Sequence, residues 1–259
     1  MDHRERWKKI LATLESGEEL TVERACQLCG ASPATIRRDF QRMDRDHLVE
    51  KTWGGAKARG RTFNLMPPYP ERETRQIESK KQIALRAAAL VSEGDVVFID
   101  GGTTTVHMAA PLALKKIRVV TNSLVIAHEI DRCRKGTTGA EVYLTGGLLF
   151  PQSELLVGPR ARETLEEYRA QWAFLSVGGL DLRGASNHEE RIVEVERAMI
   201  DGCEHLAVLA DQSKCGIRSM VHLCGWKEVD AWITDVPQSR SPLVRAAKQA
   251  GVDILVAGK

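Results

Sequence analysis

The first 60 or so residues have apolar positions at helical spacing and lead to a basic segment. An amphipathic helix is predicted at roughly residues 22–29, and a helix at about residues 4–14 supplies a packing partner. Gly30 permits the tight turn that follows the amphipathic helix. Ser32 suits the N-cap of a helix and Pro33 suits its first position, so a third helix is predicted to start at Pro33.

The third helix has two different faces. At about 100° per residue, Ile36, Phe40 and Met43 share one face, which we predict to be buried. The opposite face includes Arg37 and Arg38 and is free to enter a DNA groove, as in a helix-turn-helix. The residues predicted to contact double-stranded operator DNA are Ser32, Ala34, Thr35, Arg37, Arg38, Gln41, Lys51 and Lys57.

A wing is predicted directly after this helix. Leu48 and Val49 indicate a short strand, and Gly54 and Gly55 indicate the turn to another strand. Between residues 37 and 61 the chain has eight Lys or Arg and four Asp or Glu, although its total net charge is only +2. An arginine pair alone is usually a solvated surface. The cap, the buried stripe, the wing and the local positive charge together indicate DNA binding.

The rest of the chain alternates between apolar runs and helical stretches. Seven runs are predicted strands: DVVFID, IRVVTNS, VYLTGG, WAFLSVGG, LAVLAD, AWITD and DILVAG. Their near-continuous hydrophobicity indicates a mainly parallel α/β sheet that is buried on both faces. Residues 58–79 are rich in charge and include three of the nine prolines within four residues, which indicates a linker. The predicted domains are therefore an α-helical winged helix-turn-helix at 1–57, a linker at 58–79 and an α/β effector-sensing domain at 80–259.

Small and polar residues follow several predicted strands, at the sheet edge where open α/β folds bind ligands. Any one such loop is more often an ordinary turn, but their repetition favours a site. Glycines, threonines and a helix N-terminus in the first loop suit a phosphate. Neither GxxxxGK[ST] nor GxGxxG is present. The predicted effector-binding residues at these strand ends are Asp100, Gly102, Thr103, Thr104, Thr105, Thr121, Asn122, Ser123, Gly146, Gly147 and Lys214. Glu194, which follows no predicted strand, is also a predicted effector-binding residue.

Composition and the absence of long apolar runs indicate the cellular compartment of the protein. No apolar run approaches the ~20 residues that span a bilayer, and the N-terminus lacks the apolar stretch of a signal peptide, so a cytoplasmic protein is predicted. Six scattered cysteines do not resemble a secreted disulfide framework. Cys26 and Cys29 form a lone CxxC without further ligands nearby, and we interpret them as buried core thiols. No metal or cofactor is predicted.

Nine motifs distributed over both predicted domains resemble those of DeoR-type bacterial transcriptional regulators. They are SPATIRRDF (32–40), WGGA (53–56), KKQIA (80–84), FIDGGTTT (98–105), VTNS (120–123), LTGG (144–147), VG (157–158), EVERAM (194–199) and LADQSK (209–214). The resemblance implies a winged helix-turn-helix joined to an effector domain similar to ribose-5-phosphate isomerase and glucosamine-6-phosphate deaminase. It also implies that the Gly-Thr-Thr-Thr loop and Lys214 bind phosphate. Glu196 departs from the family, which usually has lysine at this position.

These features support a regulator more than an enzyme. We expect a DNA-binding repressor of a carbohydrate-metabolism operon that acts as a homodimer or homotetramer and responds to a phosphorylated sugar effector. Activation instead of repression would use the same DNA contacts. The alternative is a sugar-phosphate isomerase or deaminase with an accessory DNA-binding head, and its candidate general bases are Asp100, Glu189, Glu190 and Glu194. Charged residues near a pocket more often bind or are solvated, so a non-enzyme is predicted.

Overall fold

The computed structural model describes residues 3–14, 19–45, 48–58, 69–134, 136, 138–151, 153–235 and 241–258. The chain divides into two compact units, Met1–Thr62 and Phe63–Lys259. The predicted linker at 58–79 spans this division, and its residues 59–68 lie outside the described residues. The limits of the linker stay a prediction.

The described part of the N-terminal unit contains three helices and a small antiparallel sheet. Its elements are α1 (His3–Leu14), β1 (Leu20–Thr21), α2 (Val22–Cys29), α3 (Pro33–Arg45), β2 (Val49–Lys51) and β3 (Gly55–Ala58). The sheet has the order β1-β3-β2, in which Leu20 lies opposite Ala56 and Val49 opposite Ala58. The three predicted helices and the wing are confirmed. Strand β1 is only two residues long, and no apolar pattern predicts it.

Side-chain caps and one glycine define the helix-turn-helix. The Thr21 hydroxyl accepts a hydrogen bond from the Arg24 amide at 3.3 Å, where α2 begins. Gly30 ends α2 with a φ of +59°, a left-handed conformation that glycine adopts at little cost. The Ser32 hydroxyl accepts a hydrogen bond from the Thr35 amide at 3.3 Å, so Ser32 is the predicted cap of α3.

The predicted stripe on α3 forms the centre of the N-terminal core. Ile36, Phe40 and Met43 are each at most 1 % exposed and pack with apolar side chains of α1, α2 and the sheet. Asp39 is also buried, and its carboxylate accepts a hydrogen bond from Arg6 Nε at 2.7 Å, which ties α3 to α1. The core therefore fixes one side of α3 and leaves the other side facing solvent.

The two cysteines of the CxxC motif belong to this core. Cys29 is buried, Cys26 packs against the same cluster, and both are free thiols. Burial raises the pKa of the Cys29 thiol, which keeps it protonated and unreactive. Within the described residues, no group of three or more His, Cys, Asp or Glu side chains is arranged to hold a metal ion.

The C-terminal unit alternates strands and helices. Its helices are α4 (Tyr69–Glu73), α5 (Ile77–Ala88), α6 (Ala109–Leu112), α7 (Leu124–Cys133), α8 (Pro159–Glu166), α9 (Glu190–Asp201) and α10 (Pro242–Gln249), with 3-10 turns at Thr105–Met108, Gln212–Lys214 and Trp226–Glu228. Its strands are β4 (Val96–Ile99), β5 (Arg118–Thr121), β6 (Glu141–Leu144), β7 (Leu148–Phe150), β8 (Leu155–Val157), β9 (Ala170–Ser176), β10 (Gly179–Asp181), β11 (Gly184–Asn187), β12 (Cys203–Leu209), β13 (Val221–Cys224), β14 (Ala231–Thr234) and β15 (Asp253–Val256).

The central sheet has seven strands in the order β15-β14-β12-β9-β4-β5-β6, and every neighbouring pair is parallel. Val97 and Ile99 pack into the core on one face, and Phe98 packs into the core on the other. Burial on both faces explains the near-continuous apolar runs, and all seven predicted strands are confirmed. The strand order reverses between β4 and β9, which is where an open α/β sheet leaves a crevice for a ligand.

Several short elements of the C-terminal unit are not among those that the sequence predicts. Strands β7 and β8 form a hairpin, and β10, β11 and β13 form a separate antiparallel sheet. The run WAFLSVGG contains β9 as far as Ser176, and its final glycine, Gly179, begins β10. Helix α4 and the start of α5 lie within residues 69–79, inside the predicted linker.

Candidate DNA-binding surface and effector cavity

The outer face of α3 brings together most of the predicted DNA contacts. The Thr35 side chain is half-buried, and its hydroxyl lies 2.9 Å from that of Ser32 at the start of the helix. Because Phe40 and its neighbours face the core, the outward side chains are presented to solvent on one surface. The exposed residues of this surface are Ser32, Ala34, Arg37, Arg38 and Gln41.

The wing adds two lysines and an aromatic tip. Lys51 on β2 is exposed, and its backbone amide donates to Asp44 Oδ1 at 3.2 Å. Lys57 on β3 forms an ion pair of 2.9 Å with Glu50 across the hairpin. Trp53 lies at the turn and is fully exposed, although it is not among the predicted DNA contacts. Single exposed apolar side chains are common on protein surfaces, and a contact of Trp53 with DNA is a prediction from its place at the wing turn.

A cavity of about 120 Å³ lies where the strand order of the central sheet reverses. Its walls are the loops that follow β4, β9 and β12, the segment from α4 to α5, and the end of β11 with His188. Leu155 of β8 and Ile192 of α9 complete the lining. Of the predicted effector-binding residues, Asp100, Thr103, Thr104 and Lys214 line this cavity. The structure thus brings together two of the predicted loops, those that follow β4 and β12.

Gly102 and Thr105 shape the first loop from within. The Gly102 amide donates to the Thr105 hydroxyl at 2.8 Å, and that hydroxyl lies 3.2 Å from the Gly102 carbonyl. A β-carbon at position 102 would collide with the Ser176 side chain at the end of β9. Glycine is required here because the ends of β4 and β9 approach closely.

Three further predicted residues lie at the end of β5 and directly after it, outside the cavity lining. The Thr121 hydroxyl donates to the Ile99 carbonyl at 2.6 Å. The Ser123 hydroxyl accepts a backbone hydrogen bond of 3.3 Å and caps α7. Asn122 is buried beside the Asp100 carboxyl and lowers its pKa, although its amide atoms reach no hydrogen-bond geometry with the described residues. Their direct contact with an effector stays a prediction.

The structure does not bring Gly146, Gly147 and Glu194 to the cavity. The two glycines form the turn after the edge strand β6, both with positive φ. Glu194 is exposed on α9, whereas Glu196 is fully buried. The two glutamates are two residues apart on the helix, which rotates them by roughly 200°, so they point to opposite sides.

Four cationic side chains line the cavity. Arg72 and Arg75 come from the segment predicted as a linker, Lys80 comes from α5, and Lys214 follows β12. Of these, Lys214 alone is a predicted contact. Arg72 and Arg75 escape prediction because their proline- and charge-rich stretch has no periodic pattern. Lys80 begins the KKQIA motif, which is the signal that could have selected it.

Burial weakens the charged form of three of these cations. Lys80 is 4 % exposed, and desolvation lowers its pKa to about 8, although Asp211 opposes the shift. Burial also lowers the pKa of Lys214 and of Arg72. Lys80 Nζ donates to the Arg72 carbonyl, which fixes the ammonium group on the cavity wall. An anion bound in the cavity would raise the pKa of each of these three groups back toward its ordinary value.

Two buried carboxyl groups complete the site. Asp100 lines the cavity, and Glu196 on α9 lies beside the Asp100 carboxyl without lining the cavity itself. Asn187 Nδ2 donates to Glu196 Oε1 at 2.6 Å. Burial raises the pKa of Asp100 to about 6, against the opposing effect of the Gly101 amide. Burial and then the charge of Asp100 raise the pKa of Glu196 well above its ordinary value.

Asp100→Asn is expected to stabilise the protein at neutral pH. The folded-state pKa of about 6 lies above the ordinary value of 3.8, so stability is lost as pH rises from the lower value through the higher one. The loss is roughly 3 kcal/mol at most, and an amide that does not ionise avoids it. Urea unfolding should show a stability difference between variant and wild type that grows from pH ~4.5 to pH ~7.5. A difference that is independent of pH would contradict this origin.

A basic winged helix-turn-helix and an α/β unit with a cation-lined cavity define the class as a DNA-binding transcriptional regulator with a sensor domain. Residues 6–62 match the DeoR-like helix-turn-helix domain, and residues 75–236 match the DeoR C terminal sensor domain. The chain therefore belongs to the DeoR family of transcriptional regulators, which confirms the resemblance seen in its motifs.

Proteins named as transcriptional regulators match this chain over nearly their whole length. The HTH-type transcriptional regulator GlpR of Haloferax volcanii is 34% identical over 233 residues, which cover 89% of both proteins. The HTH-type transcriptional repressor GlcR of Bacillus subtilis is 31% identical, with 91% of this chain and 89% of GlcR covered. The Glycerol-3-phosphate regulon repressor of Escherichia coli K12 is 28% identical, with 92% of both covered.

Solved structures resemble part of the chain at low sequence identity. eIF2B delta from Chaetomium thermophilum has a TM-score of 0.45 at 15% identity, covering 63% of this chain and 58% of its own. Ribose 5-phosphate isomerase A from Methanocaldococcus jannaschii has a TM-score of 0.37 at 16% identity, and the match covers 52% of this chain and 53% of the isomerase chain.

None of the helices in the described ranges is long and apolar enough to cross a bilayer.

Proposed function

We propose that this regulator represses a carbohydrate-metabolism operon and that a phosphorylated sugar or related metabolite controls its binding to operator DNA. The convergence of Arg72, Arg75, Lys80 and Lys214 on one cavity carries the proposal. A phosphate suits this arrangement because its oxygens accept charge-assisted hydrogen bonds from several cations at once. The names of two relatives, a repressor and a glycerol-3-phosphate regulon repressor, point the same way.

Within the cavity, the proposed roles follow from side-chain chemistry. Lys214 and Lys80 donate to the phosphate, and the hydroxyls of Thr103 and Thr104 add neutral donors. Asp100, which can only accept when ionised, takes a hydroxyl of the metabolite. Gly102, Thr105 and Thr121 hold the end of β4 and the loop after it, which presents Asp100, Thr103 and Thr104.

On the DNA side, α3 is proposed to lie in the major groove. Arg37 and Arg38 then reach guanine edges or phosphates, Ser32 and Thr35 contact the backbone, and the wing lysines contact neighbouring phosphates. Two such helices about one DNA turn apart would read a palindromic operator, which favours a homodimer or homotetramer. Control requires that the metabolite bind one arrangement of the oligomer more tightly than another.

Trp53→Ala is expected to weaken operator binding by about tenfold, since an indole that packs against the DNA backbone would bury apolar surface at about 25 cal/mol per Å², for a total of roughly 1–2 kcal/mol. In the wild type, DNA should quench the fluorescence of the exposed Trp53, and the alanine variant should lose this signal. Trp53→Phe is the matched control, because it keeps an aromatic ring and should retain most of the affinity. Unchanged binding by the alanine variant together with unchanged fluorescence in the wild type would exclude a DNA contact at the wing tip.

Isothermal titration calorimetry of the full chain with phosphorylated sugars and with their unphosphorylated parents tests the proposed effector class. Saturable heats are expected with phosphorylated compounds alone. The isomerase or deaminase alternative is tested in the same samples by assaying conversion of aldose and ketose phosphates. Turnover that Asp100→Asn abolishes would favour the enzyme, and binding of neither compound class would contradict the proposed effector.

A further inference from the structure

The carboxyl pair of Asp100 and Glu196 joins the cavity to the buried side of α9. Asp100 is 1 % exposed and Glu196 is 0 % exposed, and the two side chains are within reach of each other. Glu196 Oε1 accepts a hydrogen bond from Asn187, but Glu196 Oε2 and Asp100 Oδ1 have no donor among the described residues. Buried polar atoms are nearly always paired, and a single proton between these two oxygens would satisfy both.

Resting on the phosphate site proposed above, we infer that Glu196 is a positioning residue that stays a neutral carboxylic acid and donates its proton to Asp100. Asp100 is thereby held as an ionised acceptor that faces the cavity. The group it accepts is a hydroxyl of the metabolite. The effector is then a phosphorylated sugar or polyol that offers this hydroxyl to Asp100.

The charges around the cavity favour a neutral Glu196 when a phosphate is bound. Arg75 is exposed and already forms an ion pair with Glu71. With Glu196 neutral, the other three cations are opposed by Asp100 and Asp211, which leaves one positive charge. An ionised Glu196 would cancel this charge and oppose the binding of a phosphate monoester, whose charge is about −2.

The surroundings of the pair assign the proton to Glu196. Burial is the main cause that raises the pKa of both acids, and the charge of Asp100 adds to the effect on Glu196. The Gly101 amide, Asn122 and Arg72 all favour the ionised form of Asp100 instead. The other ionisable groups on the cavity walls are Arg75, Lys80, His188, Asp211 and Lys214.

Infrared spectroscopy of the ligand-free full chain in D₂O tests the proton directly. At pH ~7 the wild type should show the carbonyl stretch of a protonated carboxylic acid, and Glu196→Gln should lack it. His188→Gln serves as the control for the titratable neighbour on the same wall and should keep the band. Absence of the band in the wild type, or its persistence in Glu196→Gln, would overturn the inference.

Calorimetry then tests what the pair binds, with inorganic phosphate, glycerol 3-phosphate and ribose 5-phosphate as probes. The wild type should bind at least one of the two esters about tenfold more tightly than inorganic phosphate, since a hydrogen bond to a charged acceptor contributes that much. Asp100→Asn should remove this preference and keep the affinity for inorganic phosphate. Glu196→Gln should keep the preference at neutral pH, because its amide also donates to Asp100.

The pH profile separates a positioning role from a merely structural one. As pH rises and Glu196 ionises, the wild type should lose affinity for the preferred ester, whereas Glu196→Gln should lose less, because only the wild type gains a second negative charge. Suppose that inorganic phosphate binds the wild type. If the wild type then shows no preference for an ester, or if Asp100→Asn keeps that preference, the acceptor role of Asp100 is wrong while the phosphate site stands. If inorganic phosphate does not bind the wild type, the proposed phosphate site is wrong and the acceptor role falls with it.

Discussion

Replacing Arg37 and Arg38 together with alanine is expected to abolish operator binding at physiological salt and leave the fold intact. Both side chains are exposed on α3, opposite Ile36 and Phe40, so the change removes no core packing. An arginine that pairs with a guanine edge contributes about 1–3 kcal/mol, and the double change should therefore lower affinity at least about 30-fold, which removes detectable binding at the protein concentrations that saturate the wild type. To the extent that the arginines contact phosphates, the salt dependence of binding should also fall.

Fluorescence anisotropy of labelled promoter DNA measures this effect. The matched control is Arg245→Ala with Lys248→Ala, which removes two positive charges from the exposed side of α10 in the C-terminal unit. The control should bind DNA like the wild type, since its charges are remote in sequence from the reading helix. Retained operator binding by the Arg37 and Arg38 variant at moderate salt would contradict the assignment of α3.

Lys214→Met is expected to give a regulator that binds its operator and no longer answers the metabolite. The side chain lines the cavity, and burial lowers its pKa, so an unbranched apolar substitute fills the same space without a buried charge. The metabolite loses a charge-assisted hydrogen bond, which should weaken its binding about 10- to 100-fold. The DNA contacts of α3 are unchanged by this substitution.

The measured quantity is the metabolite concentration that releases half of the bound DNA. Lys227→Met is the control, because this lysine is exposed in the same unit and does not line the cavity. It should respond like the wild type, while Lys214→Met should need a much higher concentration. Equal release from both variants would place the effector outside this cavity.

The fold was largely predictable because local pattern and burial agree. In β4, Val97 and Phe98 are buried on opposite faces, so the strand is apolar at consecutive positions and is recognisable in the sequence. The helix-turn-helix was predictable because Ser32, which caps α3, accepts a hydrogen bond from the Thr35 amide only three residues away. By contrast, β11 reads GASN, with no β-branched or aromatic residue, and it forms only through pairing with β10 and β13.

The candidate site was only partly predictable, because two of its four cationic side chains reach the cavity through tertiary structure alone. Lys214 follows a strand, where position in an α/β fold already indicates function. Arg72 and Arg75 lie in a stretch that looks like a linker, and only the fold returns them to the cavity. Glu196 was detectable in principle, since Ile192, Val195 and Met199 define the buried face on which it lies.

Operator binding measured with and without phosphorylated sugars tests the central claim most directly. Labelled promoter DNA is titrated with the full chain at physiological salt, in the absence of metabolite and then with each member of a sugar-phosphate panel or its unphosphorylated parent. The account predicts tight binding that at least one phosphorylated compound releases and that its parent leaves unchanged. Tight binding that no phosphorylated compound alters, or no binding at all, would contradict it.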